Sequence, residues 1–319
     1  MAHVETNTSI YKPNQDVFSE TLQHLAAIDR NIIAVTSDSR GSGKLVPFGN
    51  KFPKQIVEVG IAEQNLVGVA AGLASAGKKV FAVSPACFLT ARALEQIKND
   101  VAYSDNPVTV VGISAGVSYG ALGSTHHSLH DFAALRAINN ITVVAPADNF
   151  ETEKATALAA QTNSPVYLRF GKKVMHSLKE ENDDHFEFGK GRLIVDGTDA
   201  AIIACGETVY PALEAARQLA DEGIRAAVVS MHTIKPLDTA LLAQLAAQCK
   251  VIVTVEEHSI YGGLGEACAS YLMQHNLHKP FAIIGIPDEY TITGSQIDIF
   301  NHYGINKDGI AAKVRNLLN

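Results

Sequence analysis

The chain has 319 residues, 47 % of them hydrophobic and 18 % charged, and its 26 Lys and Arg against 33 Asp and Glu leave a formal net charge of −7. That balance buries a sizeable core and excludes wholesale disorder, and its acidic sign excludes a general electrostatic footprint for nucleic acid or anionic membrane. With no Trp and 7 % aromatics, packing falls to Ala, Val, Ile and Gly, which suits helices laid closely on parallel strands.

Taken in chain order, short β-branched runs alternate with helical patterns. The spacing of Phe18, Leu22, Leu25 and Ala26 predicts an amphipathic helix with Asn14 near its start. Strands are predicted at 32–35, 80–83, 108–112 and 141–144. Residues 63–76 are apolar nearly all round, through Leu66, Val67, Val69, Ala70 and Leu73, which predicts a buried central helix. Phe88, Leu94, Ile97 and Val101 mark one further helix. Around 172–190 the composition changes, and Lys179, Glu180, Glu181, Asp183 and Asp184 make a charged, apolar-poor linker. Beyond it, strands are predicted at 200–205, 226–230, 251–255 and 282–286, with helices near 210–221 and 238–247. The expectation is two doubly wound α/β domains, residues 1–185 and 190–319, with no short-period repeat. No apolar run reaches the ~18 residues of a membrane span. Residues 1–15 are polar and lack the apolar core of a signal peptide. Cys87, Cys205, Cys249 and Cys268 are scattered, as expected of buried reduced thiols in a cytoplasmic protein.

Several motifs are candidates for chemistry. No GxxxxGK[ST] loop is present. Gly262-Gly263-Leu264-Gly265 follows the strand at 251–255 after a Glu256-Glu257-His258 turn; its spacing does not suit a dinucleotide fingerprint and predicts a tight helix entry. Gly41-Ser42-Gly43-Lys44 is too short for a P-loop and runs into polar loop residues. There is no GxSxG elbow, and Ser114 in Ile113-Ser114-Ala115-Gly116 lacks the second glycine spacing. Gly123-Ser124-Thr125-His126-His127, with His130 and Asp131 behind, suits a polar substrate-binding loop better than a zinc site, because adjacent loop histidines seldom ligate one ion. Glu63, in Val59-Gly60-Ile61-Ala62-Glu63-Gln64-Asn65-Leu66, stands where the apolar helix begins. It is either an acid favoured by the macrodipole or a carboxyl in low dielectric that holds or gives a proton to a ligand nitrogen.

The Glu58–Asn65 motif, Cys87-Phe88-Leu89-Thr90-Ala91-Arg92-Ala93-Leu94-Glu95-Gln96 and the Gly123–His127 loop together resemble the transketolase family. The nearest likeness is its split form, in which the pyrimidine-binding and C-terminal domains are a separate subunit. Further matches are Ala145-Pro146-Ala147-Asp148, Pro165-Val166-Tyr167-Leu168-Arg169 and Glu256-Glu257-His258-Ser259-Ile260-Tyr261-Gly262-Gly263-Leu264-Gly265. They occur in family order and cover most of the chain.

The resemblance implies thiamine diphosphate lying across a domain interface. Glu63 matches the glutamate that hydrogen-bonds N1′ of the aminopyrimidine, so that the 4′-amino group can take the proton from C2 of the thiazolium. Phe88 matches the aromatic that stacks on that ring, against plain core packing. Asp38, just past the first strand, matches an acid at the cofactor edge, against a turn residue. Arg92 is either a cofactor contact or an interface ion pair. His126 matches the histidine facing substrate, and Arg169 the arginine that grips its terminal phosphate.

Two positions depart from the family pattern. Leu122 stands where an acid reads an acceptor hydroxyl, and Ser114 where a further histidine stands. These imply two-carbon ketol transfer between sugar phosphates with an altered donor or acceptor, such as a branched sugar phosphate. The family's GDG…N motif, which binds the diphosphate and Mg²⁺, is missing: Val195-Asp196-Gly197 and Lys307-Asp308-Gly309 lack the leading glycine. No metal ligand is therefore expected here, and an N-terminal transketolase subunit is the implied partner, in a heterotetramer with two of each chain. The alternatives are the beta subunit of a 2-oxo-acid dehydrogenase, deoxyxylulose-phosphate synthase (normally one long chain), and a non-catalytic subunit that kept the fold. The histidine loop and the 88–96 segment favour transketolase, while Glu63 and Phe88 favour an enzyme.

Overall fold

In the computed structural model, which describes residues 11–178 and 185–319, the β-branched runs assemble into two mostly parallel sheets covered by helices. The first half runs α1 (Asn14–Ile28), β1 (Ile32–Thr36), α2 (Val46–Lys51), β2 (Ile56–Glu58), α3 (Glu63–Ser75), β3 (Lys79–Pro85), α4 (Ala86–Arg92) and α5 (Leu94–Gln96). A wide π-helical segment, Ile97–Tyr103, leads into β4 (Val108–Ile113), α6 (Asp131–Arg136), β5 (Thr142–Val144), α7 (Asn149–Ala159) and β6 (Val166–Arg169). The second half begins with β7 (Arg192–Val195), β8 (Ala200–Ala204), α8 (Val209–Asp221), β9 (Ala226–Ser230), β10 (Thr233–Lys235) and α9 (Thr239–Gln248). It ends with β11 (Val251–Ser259), α10 (Leu264–Gln274), β12 (Phe281–Ile286), α11 (Gln296–His302) and α12 (Lys307–Leu318).

The first sheet has the order β10-β5-β6-β4-β3-β1-β2 and the second β12-β11-β8-β9-β7. Strand pairing is parallel except at two edges, β10 on β5 and β7 on β9. Period-two alternation sorts each strand's residues between two helical layers. On β1, Ile33 and Val35 pack with Leu66, Val67 and Ala70 of α3, while Ile32 and Ala34 pack with Phe18, Leu22 and Ala26 of α1. Each fully buried Ile, Val, Leu or Phe side chain among them contributes roughly 1.5–3 kcal/mol. The layer under α3 continues into the second sheet, where Ala201, Ile203, Ala227 and Val229 join Phe132, Leu135 and Val143 in one apolar cluster. The two sheets are therefore welded by a shared core, and the second half also lends β10 to the first sheet.

Asn14 stands at the start of the first helix as expected, after Pro13, and its buried amide donates to the Pro146 carbonyl at 3.2 Å. Several local expectations need correction. The helix through Phe88 and Val101 breaks into α4, α5 and the π-helical segment. The third helix is buried on one side only: Gln64, Asn65, Gly72 and Ser75 are exposed. Glu256-Glu257-His258 is no turn. It continues β11, fully buried. The Gly41–Lys44 loop runs into the short helix α2 rather than into loop. The described parts of the 172–190 linker are pinned to the core, with Met175 and Leu178 buried and Phe186 stacked on His232 at 4.3 Å. Its charged centre, 179–184, lies outside the described residues. The four cysteines are buried and unpaired, and no helix among the described residues is long and apolar enough to cross a membrane.

Candidate active site

The carboxyl ends of β1, β2, β3, β4 and β6 open onto one edge of the first sheet, the kind of crevice where α/β sheets bind ligands. Past β1, Ser37 Oγ lies 2.7 Å from Ser84 Oγ, and Ser39 Oγ donates to the Val83 carbonyl at 3.2 Å. These bonds present Asp38 at the rim, exposed and at φ +53°. The backbone N–H groups of Asp38 and Gly60 both donate to Glu58 Oε1, at 2.6 and 3.1 Å. Glu58 thereby clips the turn after β1 to the turn after β2, and the chain enters α3 at Glu63.

Glu63 is 5 % exposed. Arg92 Nη1 donates to its Oε1 at 2.9 Å, and the same guanidinium lies 4.3 Å from the centroid of Phe88. Phe88 and Arg92 are four residues apart on α4, which puts them on one helix face. The ion pair open to Arg92 is thus made within the chain, to Glu63 itself, with half of the arginine side chain still exposed. Glu63 Oε2 makes no hydrogen bond among the described residues.

His126 joins this group edge-on. Its ring centroid is 5.2 Å from Phe88 and 5.5 Å from Tyr119, and its Nδ1 is 2.9 Å from Thr125 Oγ1. Leu122 is 55 % exposed on the short 3₁₀ turn Gly120–Leu122. Ser114 does not line the site. It is completely buried, and its N–H and hydroxyl both donate to the Gln15 amide oxygen, at 2.8 and 3.2 Å. The neighbouring histidines part company: His130 is exposed, whereas His127 is 4 % exposed and burial holds its pKa below the ordinary value.

Arg169 is the main correction. It is 6 % exposed and turned into the core between the two sheets. Its Nε donates to Asp131 Oδ2 at 2.7 Å, and its Nη2 donates to the carbonyls of Glu257 at 2.8 Å and Ser128 at 3.2 Å. Its guanidinium also covers Phe132 at 4.5 Å. Burial alone raises the Asp131 carboxyl, but Arg169, His258 and the hydrogen bonds from Arg169 and Tyr167 outweigh it and hold the carboxyl below the usual range. Nε and both N–H groups of Nη2 are thus committed inside the protein. A further exposed cation near this group is Lys172, with Nζ 4.3 Å above the Tyr119 ring. Partial burial and the nearby Lys44 push its pKa down. Between them, Gly171 admits the close approach of the Glu207 carboxylate, which a Cβ there would strike.

Beneath the rim runs a seam of buried acids from the second sheet. Glu256 accepts the N–H groups of Leu264 and Gly265 at 2.7 and 2.8 Å, so a carboxylate of the protein fills the start of α10 and the glycine run is a helix entry. Gln296 Nε2 donates to both Glu207 Oε2 (2.5 Å) and Glu257 Oε1 (2.6 Å), and Glu257 Oε1 also accepts Val117 N–H at 2.9 Å. Burial first and Glu207 second push Glu257 up to about 8.

The structure therefore groups Glu63, Phe88, Arg92 and His126, leaves Asp38 and Leu122 exposed, and seals Ser114 and Arg169 inside. Sequence reading missed Tyr119 and Lys172. Tyr119 carries no periodic signal, but two lysines directly beyond a buried strand end were visible in Arg169-Phe170-Gly171-Lys172-Lys173.

Comparisons with known proteins agree in coverage. The family described as "Transketolase, pyrimidine binding domain" matches residues 12–176, and "Transketolase, C-terminal domain" matches residues 189–310. A Phocaeicola vulgatus protein, named as one of the subunits of an apulose-4-phosphate transketolase, is 48 % identical over 293 residues, 92 % of this chain and 93 % of that one. The putative transketolase C-terminal section of Methanocaldococcus jannaschii is 38 % identical over 308 residues, 96 % of each chain. A solved structure described as a split gene transketolase, inactive beta4 tetramer, is similar with a TM-score of 0.87 at 34 % identity, covering 97 % of this chain and 99 % of that one.

Proposed function

Since the chain belongs to the transketolase family, we propose that it is the pyrimidine-side subunit of a two-subunit, thiamine diphosphate-dependent transketolase. The observation that carries this reading is the meeting of Glu63 and Phe88 on one open edge, joined by Arg92. A flat heteroaromatic ring with a basic nitrogen needs an aromatic face and a carboxylate beside it. Phe88 offers the face, and Glu63 Oε2 is the carboxylate oxygen left over by Arg92. The residues present fit the aminopyrimidine end of the cofactor. Thiamine diphosphate, when bound, supplies the nucleophilic carbon that carries the two-carbon ketol unit.

The chain's own groups take distinct parts. Glu63 shares a proton with the ring nitrogen, and Arg92 fixes its carboxylate against rotation. His126, held between Phe88 and Tyr119, donates to a sugar oxygen. Lys172 replaces Arg169 as the cation for the substrate phosphate, with Lys44 near it. Asp38 borders the cofactor edge, and Leu122 tunes the acceptor. The missing GDG…N motif assigns Mg²⁺ and the diphosphate to a partner subunit, in an assembly with two copies of each chain. A relative that forms an inactive tetramer of beta chains supports both self-association and dependence on the partner. We place the division between the two domains at 185–190 and the protein in the cytoplasm.

The substrate is a sugar phosphate other than the ordinary pentose phosphates, and apulose 4-phosphate, named for one relative, is the first to assay. The test is reconstitution with the copurifying GDG…N subunit, thiamine diphosphate and Mg²⁺. Ketol transfer that depends on both chains is expected. Release of carbon dioxide from a 2-oxo acid would instead assign a dehydrogenase subunit, and full activity on xylulose 5-phosphate with ribose 5-phosphate would remove the altered specificity. Calorimetry of the isolated chain is expected to show no tight Mg²⁺-dependent cofactor binding.

A further inference from the structure

The loop that carries His126 belongs to the first half of the chain, yet a segment of the second half holds it. Thr291, 8 % exposed between β12 and α11, has its Oγ1 3.0 Å from Ser124 Oγ and 2.8 Å from His127 Nδ1. His127 Nε2 lies 3.0 Å from the Gly120 carbonyl. A carbonyl only accepts, so Nε2 carries the proton and Nδ1 accepts from the Thr291 hydroxyl, whose oxygen in turn accepts from Ser124. Burial lowers the His127 pKa and so favours the neutral ring that this order requires. The chain Ser124 to Thr291 to His127 to Gly120 thus has one donor and one acceptor at every joint. The backbones press together as well: a Cβ on Gly120 would meet the Gly294 carbonyl at 2.5 Å, and one on Gly123 would meet Thr293 Cγ2 at 3.2 Å. Nothing in the first half makes an equivalent hold on residues 120–127 among the described hydrogen bonds to side chains.

We propose that Thr291 is a positioning residue: from the second half of the chain it fixes the loop so that His126 faces substrate between Phe88 and Tyr119. This rests on the functional reading above only for the part that His126 plays. Loss of the hydroxyl strands a buried imidazole nitrogen, and the loop relaxes toward water to satisfy it. Small displacements of a substrate-facing group cost as much as 100-fold in rate.

Thr291→Val removes the hydroxyl and keeps the shape, whereas Thr291→Ser keeps the hydroxyl. On the isolated chain, amide hydrogen exchange across 118–128 is expected to quicken at least about tenfold in Thr291→Val and to stay near wild type in Thr291→Ser, with α8 and α12 unaffected. In the reconstituted complex, Thr291→Val is expected to lower kcat/KM roughly 10- to 100-fold with cofactor affinity kept, and Thr291→Ser to restore it. In a His126→Ala background the same change is expected to cost nothing more. Unaltered exchange in Thr291→Val, or an equal loss with and without His126, overturns the proposal. Should Thr291→Val fail to fold, Ser124→Ala removes only the first donor; faster exchange supports the clamp and unchanged exchange overturns it. Because exchange is read on the isolated chain, a wild-type complex inactive on sugar phosphates overturns the functional reading and not the clamp.

Discussion

The open rim around Glu63 and the sealed seam around Arg169 draw on the same residue types and reach opposite ends. At the rim, Arg92 pairs with one carboxylate oxygen, stays half exposed and leaves the second oxygen of Glu63 for a ligand. In the seam, Arg169 commits three of its five N–H donors to Asp131 and two carbonyls, and both members of the pair are buried. The difference lies in how many partners the protein itself supplies. A cation whose ion pair is buried in low dielectric is architecture, because breaking that pair costs more than a ligand returns. One with a solvated side remains available for chemistry.

Substitutions on the two sides sharpen this contrast. The largest effect is expected from Glu63→Gln, which should lower kcat of the reconstituted complex on the order of 10²–10⁴-fold while urea unfolding of the isolated chain changes by less than about 1 kcal/mol. A matching loss of stability would move Glu63 to the architectural side. Asp131→Ala should do the reverse, costing about 3–5 kcal/mol in urea by leaving the Arg169 guanidinium buried and unpaired. A cost below about 1 kcal/mol would break the contrast from the seam. Lys172→Ala is expected to raise KM for a phosphorylated substrate roughly 10- to 100-fold with kcat kept, the loss of one charge-assisted contact worth about 1.5–3 kcal/mol. Unchanged KM would leave the phosphate without a cation on this rim.

The seam also titrates. Glu257 is held near 8, above the ordinary carboxylate value of 4.5, by burial and then by Glu207. Folding therefore favours its neutral form: the stabilising share is complete below about pH 4.5 and is lost as pH rises through about 8. The unfolding free energy is expected to fall between about pH 5 and 8 by at most about 1.4 kcal/mol per pH unit, and Glu257→Gln should flatten that slope. An unchanged slope would assign the pH dependence elsewhere. The smallest effect on stability, within about 0.5 kcal/mol, is expected for Leu122→Asp on the exposed 3₁₀ turn. Its readout is acceptor preference, which should move toward aldoses with a free hydroxyl at the position an acid reads.

Strand and helix periodicity made most of the fold legible. The runs at 226–230 and 251–255 are strands, and the helix predicted to begin near Glu63 does begin there. Short edges were not legible. β2, β7 and β10 have three or four residues each, too few to show alternation, and exist because a neighbouring strand offers free backbone groups. Of the candidate site, the motifs that carry Glu63, Phe88 and His126 were legible, and the fold brings these side chains together. Tyr119 and Thr291 were not, since Tyr119 belongs to no recurring pattern and Thr291 meets Ser124 and His127 only across a long stretch of chain.

By itself, then, the sequence determined the alternation of strands and helices, the family and the identity of the aromatic, carboxylate and imidazole at the rim, because these follow from periodicity and from local motifs. Only the tertiary structure decided which charged groups face solvent. Arg92 and Arg169 are equally cationic in the sequence. Asp131, Ser128 and Glu257 surround one of them, while the other reaches a single carboxylate at an open strand end. Burial and partner count are properties of the packed sheets, and they sort the same chemical groups into those that hold the fold and those left free to react.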